Sequence, residues 1–200
     1  MNAPLLPGFT DPVHESQQVF RRVLEALSRP GMEQSITALP QSPAPLAAPV
    51  AAVLLTLADP DTPVWLSPAL NQTAVRDWLT FHAAVAWTDS LSQAAFAVMQ
   101  ADDPLPALDT FALGSSEVPQ ASTTLLIQGL AGHADGPPLT LQGPGIKHQQ
   151  ALTLPASLAE GLIPLWADNN AFYPQGIDAL LFDNDTPRFW GLSRTTTLSR

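Results

Sequence analysis

Two short stretches of this chain are apolar at every position instead of at alternate ones. They are Ala83-Ala84-Val85-Ala86-Trp87 and Ala95-Phe96-Ala97-Val98-Met99. Successive side chains of a strand point to opposite faces, so a strand with one wet face alternates apolar and polar residues. Read as strands, these continuous runs require a sheet covered on both faces, the setting in which helices flank strands. Val64 to Ser67, Thr123 to Gln128, Ala179 to Phe182 and Phe189 to Leu192 read as further strands, and a short one falls around Gln34 to Ala38. Leu139 to Leu141 is another, expected to pair with Thr123 to Gln128 across the intervening glycine-rich loop. Thr195 to Thr197 is expected to extend the last strand.

Helices alternate with these strands. Asp11 is suited to an N-cap and Pro12 to a first helical position. Val13, Phe20, Leu24 and Leu27 then share one face, with Val23 beside them, and this face is expected to meet the core. Arg21 and Arg29 flank Glu25 at i,i+4 spacing. Val50 to Ala58 is alanine-rich and apolar all round, which favours a buried helix, with a buried strand as the alternative. Asn71 is expected to cap a helix from Gln72 to His82, with Val75, Trp78, Leu79 and His82 inward. Leu158, Leu162, Leu165 and Trp166 recur at helical spacing, and Gly161 and Pro164 are expected to kink or break that helix. The pattern predicts one α/β domain over residues 1–200, with a mixed sheet and helices on its faces.

Charge limits the function classes. The net charge is −10, from 18 acidic and 8 basic residues. That opposes a nucleic-acid binder, which needs a basic footprint, and opposes binding to an anionic membrane. There is no cysteine, which removes disulfides, thiolate catalysis and cysteine-ligated metals. Neither a leader-like start nor a membrane-length apolar run is present, so the expected location is the cytoplasm. Charged residues make up only 13% of the chain, which points to a surface partly covered by a partner.

The most suggestive local chemistry is Leu139-Thr140-Leu141-Gln142-Gly143-Pro144-Gly145-Ile146, a strand running into a tight turn. Gly143 and Gly145 can take φ > 0, and bare N–H groups at such a turn can approach a phosphate closely. The only lysine, Lys147, follows. Neither a dinucleotide fingerprint nor a P-loop is complete here, and a plain packing turn is the alternative. His14, His82, His133 and His148 are scattered without metal-ligand spacing; His133, near Asp135, is the best placed of them. Asp59 and Asp61 suit an ordinary turn as well as a metal. Arg21, Arg22 and Arg29, clustered on the first helix, and Arg194 near the last strand, are bidentate donors for an anion, or else partners of carboxylates such as Glu25. Arg22, Arg29, Gly143, Gly145 and Arg194 thus form the candidate set for binding an anion or a partner. No catalytic or metal-ligating set stands out.

Several segments, taken in order, resemble one family. They are Phe20-Arg21-Arg22-Val23-Leu24, Ser28-Arg29-Pro30-Gly31, Leu54 to Asp59, Thr62-Pro63-Val64-Trp65-Leu66, Phe81-His82, Leu141 to Ile146, Pro174-Gln175-Gly176-Ile177-Asp178 and Arg194-Thr195-Thr196. This set is similar to PhnH, a subunit family of the bacterial carbon–phosphorus lyase core complex. The resemblance implies an αβα sandwich similar to the large domain of pyridoxal-phosphate-dependent transferases, without that cofactor. It implies partner subunits with which a phosphonate displaces adenine from MgATP, giving ribose 1-phosphonate 5-triphosphate. It also implies a homodimer in isolation. It assigns no catalytic residue and no cofactor to this chain. An independent anion- or nucleotide-binding protein, or a stand-alone enzyme, is the alternative.

Overall fold

The computed structural model describes residues 5–130, 135–184 and 186–200. In chain order the elements are α1 (Pro12–Ser28), β1 (Gln34–Ser35), α2 (Ala48–Leu57), β2 (Val64–Leu66), α3 (Thr73–Ala83), β3 (Phe96–Gln100), β4 (Thr124–Gln128), β5 (Leu139–Gln142), β6 (Gln150–Leu152), α4 (Ala156–Ala171), β7 (Asp178–Phe182), β8 (Arg188–Leu192) and β9 (Thr197–Ser199). A six-stranded sheet runs in the order β1-β8-β7-β4-β3-β2, and a three-stranded sheet in the order β6-β5-β9. β2, β3, β4 and β7 are parallel; β8 runs antiparallel to β7, and β1 antiparallel to β8, so the large sheet is mixed.

The period-two alternation of its side chains divides the core. Phe96, Val98, Leu126, Leu180 and Phe182 pack with α1, α2 and α3 on one face. Ala97, Met99, Leu125, Ile127, Ala179 and Leu181 pack with α4 and the small sheet on the other. Burial on both faces explains why these strands are apolar throughout. Each fully buried Leu, Ile or Phe contributes about 1.5–3 kcal/mol.

Five expectations are corrected. The first concerns α1. Val13, Phe20 and Leu24 do share a face, but it points to solvent, at 77%, 45% and 52% exposure. Val23 is buried and Leu27 half-buried against the core, as expected, but they are joined there by Val19 and Ala26. The cause lies in β8: Gly191 has no side chain, and the Ala26 carbonyl sits directly over it. The helix is rotated to bring its smallest apolar residue to this close approach. Second, Ala83–Trp87 is not a strand. Ala83 ends α3, Ala84 takes a left-handed conformation at φ 50°, and only Trp87 makes an isolated bridge, to Val64.

Third, β5 does not pair with β4. Both edges of β4 are taken, by β3 and β7, and β5 joins β6 and β9. The segment from Ser193 to Thr196 accordingly turns away from β8, so β9 belongs to the small sheet and does not extend the large one. Fourth, α4 is continuous through Gly161 and Pro164. Pro164 offers no N–H to the carbonyl of Glu160, and both residues lie on the exposed side, where water can serve that carbonyl. α3 also begins one residue later than expected, with Gln72 as N-cap, and Asn71 accepts from Arg76 at 3.2 Å instead of capping.

The α2 helix and the N-cap of α1 match expectation. Asp11 Oδ1 accepts from the His14 backbone N–H at 3.3 Å, and Oδ2 lies 2.7 Å from His14 Nδ1. The side-chain bond to His14, followed by the backbone one, lowers the Asp11 pKa. A depressed carboxylate pKa stabilises the fold above the unfolded value, and that contribution is lost as pH falls through the folded value. Asp11 is therefore expected to titrate below ordinary aspartate in a carboxyl-detected NMR titration, and to move back up in His14→Ala. An unchanged midpoint in that variant would remove His14 as the cause. No helix among the described residues is long and apolar enough to cross a membrane.

Candidate functional site

Gly143 and Gly145 take φ +141° and +84°, as the turn requires. Their backbones are packed against protein. A Cβ on Gly143 would stand 2.7 Å from the Thr195 carbonyl oxygen, and one on Gly145 would collide with the Ser28 carbonyl. Gly31 in turn lies under Leu141 and Gln150, and its N–H bonds the Gly191 carbonyl at 2.9 Å. The turn after β5 is thus a junction where the end of α1, the β8–β9 connection and the small sheet interlock. Lys147 and His148 beside it are exposed.

Arg194 belongs to the same junction. Its Nη2 meets Asp178 Oδ2 at 2.6 Å and Ser122 Oγ at 2.7 Å, and its Nη1 donates to the carbonyls of Pro119 at 3.0 Å and Pro174 at 3.3 Å. Its backbone N–H also donates to Asp178, at 2.7 Å. The guanidinium side chain is 13% exposed, so its fork is committed to the protein. Asn170 donates to the carbonyls of Arg194 and Thr196, while Asn169 clamps Ile177 by accepting from its N–H and donating to its carbonyl, each at 2.8 Å. Sequence reasoning passed over Ser122, Asn169 and Asn170. The Asp178–Arg194 pairing of two motif residues was the available signal.

Arg29 pairs with Glu25 at 3.1 Å on the surface of α1. Arg22 stands elsewhere, in a groove of about 360 Å³ between α1 and the chain from Ser35 to Ala38. Arg21 lines the same groove. Among the described residues neither makes a hydrogen bond or ion pair, whereas Arg29, Arg76, Arg188, Arg194 and Arg200 all have partners. The five candidate residues therefore do not form one pocket. Gly143, Gly145 and Arg194 meet at the junction, with Arg29 at its rim on the α1 corner and Arg22 apart from it.

A second opening, of about 500 Å³, lies where parallel β3 and β4 end, the usual ligand crevice of an open α/β sheet. Gln100, Asp102, Asp103, Gly129, Ser157 and Asn184 are among its lining residues. Two carboxylates and no cation make a poor bed for a phosphate group. Lys147, the only residue able to form a Schiff base, is not among them. No group of three or more His, Asp or Glu residues that could hold a metal occurs among the described residues. His133 lies outside those residues.

This α/β domain, with Gly143, Gly145 and Arg194 locked into one junction and Arg21 and Arg22 unpaired among the described residues, has known relatives. The family profile described as bacterial phosphonate metabolism protein (PhnH) matches residues 7–199, and the chain belongs to that family. Over 193 residues, 96% of this chain and 94% of the relative, it is 40% identical to the alpha-D-ribose 1-methylphosphonate 5-triphosphate synthase subunit PhnH of Rhizobium meliloti (strain 1021). It is also similar, at 36% identity over 73 residues, to the putative C-P lyase subunit protein HtxG of Stutzerimonas stutzeri, covering 34% of each chain.

Proposed function

We propose that this chain is an accessory subunit of a carbon–phosphorus lyase system, acting with partner subunits in the synthesis of a ribose 1-phosphonate 5-triphosphate. The observation that carries this reading is the end-to-end match to a synthase subunit. In the reaction a phosphonate oxygen bonds to C1 of the ribose of MgATP. The bond from that carbon to the adenine nitrogen breaks, and adenine leaves with the electron pair and takes up a proton. In this reading the active centre is completed by the partners. Gly143, Gly145, Arg29 and Arg194 maintain the shape of this subunit, and Arg22 meets what binds it. The likeness to the large domain of pyridoxal-phosphate-dependent transferases, the dimer of the isolated chain and a cytoplasmic location belong to the same proposal.

Growth on methylphosphonate as sole phosphorus source tests it. Deletion of the chain should abolish growth on methylphosphonate and leave growth on phosphate intact. Equal growth of the deletion strain on both would overturn the proposal. The two unpaired arginines favour a second reading, an independent binder of a small anion. It predicts heat on titrating the isolated chain with methylphosphonate, ATP or phosphate, and silence in all three removes it.

A further inference from the structure

We propose that the groove between α1 and β1 is a docking site for an extended, acidic segment of a partner subunit, which adds as a strand to the free edge of β1. The inference rests on the reading of this chain as a subunit of a complex. Its first support is the register of β1. Ile36 donates to the Pro187 carbonyl at 2.9 Å, and the Arg188 carbonyl accepts from Asp183 on the β7 side at 3.0 Å. Ser35 opposite Arg188 is therefore a non-hydrogen-bonded pair of the β1–β8 ladder. Its N–H and C=O point outward, away from β8. Thr37, just past the end of β1, lines the same groove and is assigned the same outward orientation by the two-residue alternation, while Gln34 and Ile36 are buried.

β1 ends the sheet order, so no strand among the described residues covers this side. A row of free backbone groups on a sheet edge is a template for one more strand. Proteins commonly blunt such edges with charge, and here the charge is informative. Arg21 and Arg22 line the same groove as Ser35 and Thr37 and have no partner among the described residues. Glu25, the one carboxylate in the lining, is already held by Arg29. In a chain of net charge −10, this is a local positive spot on an acidic body. An acidic segment would be repelled elsewhere and attracted here, which selects both site and register.

A second copy of this chain fits less well. Two-fold pairing of β1 with β1 would bring both copies' Arg21 and Arg22 to one seam, so like charges would face each other.

The test co-expresses the tagged full-length chain with the other subunits of its synthase and measures the fraction of each co-expressed subunit retained. The variants are Arg21→Glu with Arg22→Glu, and Ser35→Pro, which deletes one outward N–H that β8 does not use and that an edge strand tolerates. Thermal melts within ~2 °C of wild type verify that each variant is folded. Retention is expected to fall about tenfold in both variants, and wild-type retention to weaken as salt rises. Amide exchange at Ser35 and Thr37 should slow about tenfold or more when the complex forms. Full retention by both variants, or unchanged exchange at these two amides in the assembled complex, overturns the inference while leaving the subunit assignment standing. A wild-type chain that retains none of the subunits sinks both. A heat of methylphosphonate binding that the double variant abolishes assigns the groove to a small anion and overturns the strand proposal.

Discussion

Gly191→Val is expected to be among the most damaging single substitutions in the protein. The position is extended strand, so valine itself suits the backbone. The obstacle is α1: a Cβ at residue 191 would collide with the carbonyl carbon and oxygen of Ala26, and it would lie 2.9 Å from the Leu27 nitrogen. These are backbone atoms of a helix and cannot rotate away as a side chain would. The whole of α1 must lift from β8, loosening Val19, Val23 and Ala26 against the sheet. Overpacking of this kind costs about 3 kcal/mol or more, a large part of a typical stability of ~5–15 kcal/mol. For a domain of this size, that lowers the thermal midpoint by roughly 6–12 °C.

Gly161→Ala is the contrast. Its nearest neighbour is the flexible tip of Leu105 at 3.0 Å, and alanine favours the helix by about 0.5–1 kcal/mol. Its melting point should match or exceed that of wild type. A Gly191→Val protein that melts with Gly161→Ala would refute the close approach as the device that orients α1.

Asp178→Ala should come second. It strips the carboxylate from Arg194 while Ser122 and the carbonyls of Pro119 and Pro174 still hold the guanidinium in place. Removing one member of a buried pair leaves the other charge uncompensated, at ~3–5 kcal/mol. Because the two side chains are 13% and 23% exposed, some solvent reaches the charge and about 2–3 kcal/mol is the fitting figure. Arg194→Met on the same background should recover part of the loss. Urea melts of the two single variants and the double variant are expected to give a coupling of at least ~1 kcal/mol. Additivity within ~0.5 kcal/mol would mean that the pair is screened and that the junction rests on its backbone contacts.

The centre of the fold was legible in the sequence because its signal is local. Ala95–Met99 and Ala179–Phe182 are apolar throughout since both faces are covered, and composition alone carries that fact. The orientation of α1 was not legible. Phe20 and Leu24 make a convincing inward stripe, and only the contact of Ala26 with Gly191, brought from far along the chain, reverses it. Hairpin logic joined β4 to β5 because they are neighbours in sequence, yet β7 reaches β4 through a long crossover and excludes β5. Ala83–Trp87 misled because alanine satisfies a helix end as well as a buried strand.

The site was legible by halves. Arg194 and the two glycines were singled out for chemistry, and the structure uses them for packing. Arg21 stands among the sequence's anion donors but outside the five-residue candidate set, and the structure puts it beside Arg22 in the same groove. The spacing allowed Glu25 to take either Arg21 or Arg29, and it takes the one on its C-terminal side, the better orientation for a helical pair.

The pairing of β1 has a consequence for synthesis. β1 is made early, but its only strand neighbour among the described residues is β8, close to the C-terminus. On the ribosome the first helix and its following strand must wait for nearly the whole chain to emerge before they have a sheet to join. The groove of Arg21 and Arg22 is therefore completed last. A truncated or half-made chain would lack it, so a partner that recognises this edge would take up finished subunits and pass over fragments.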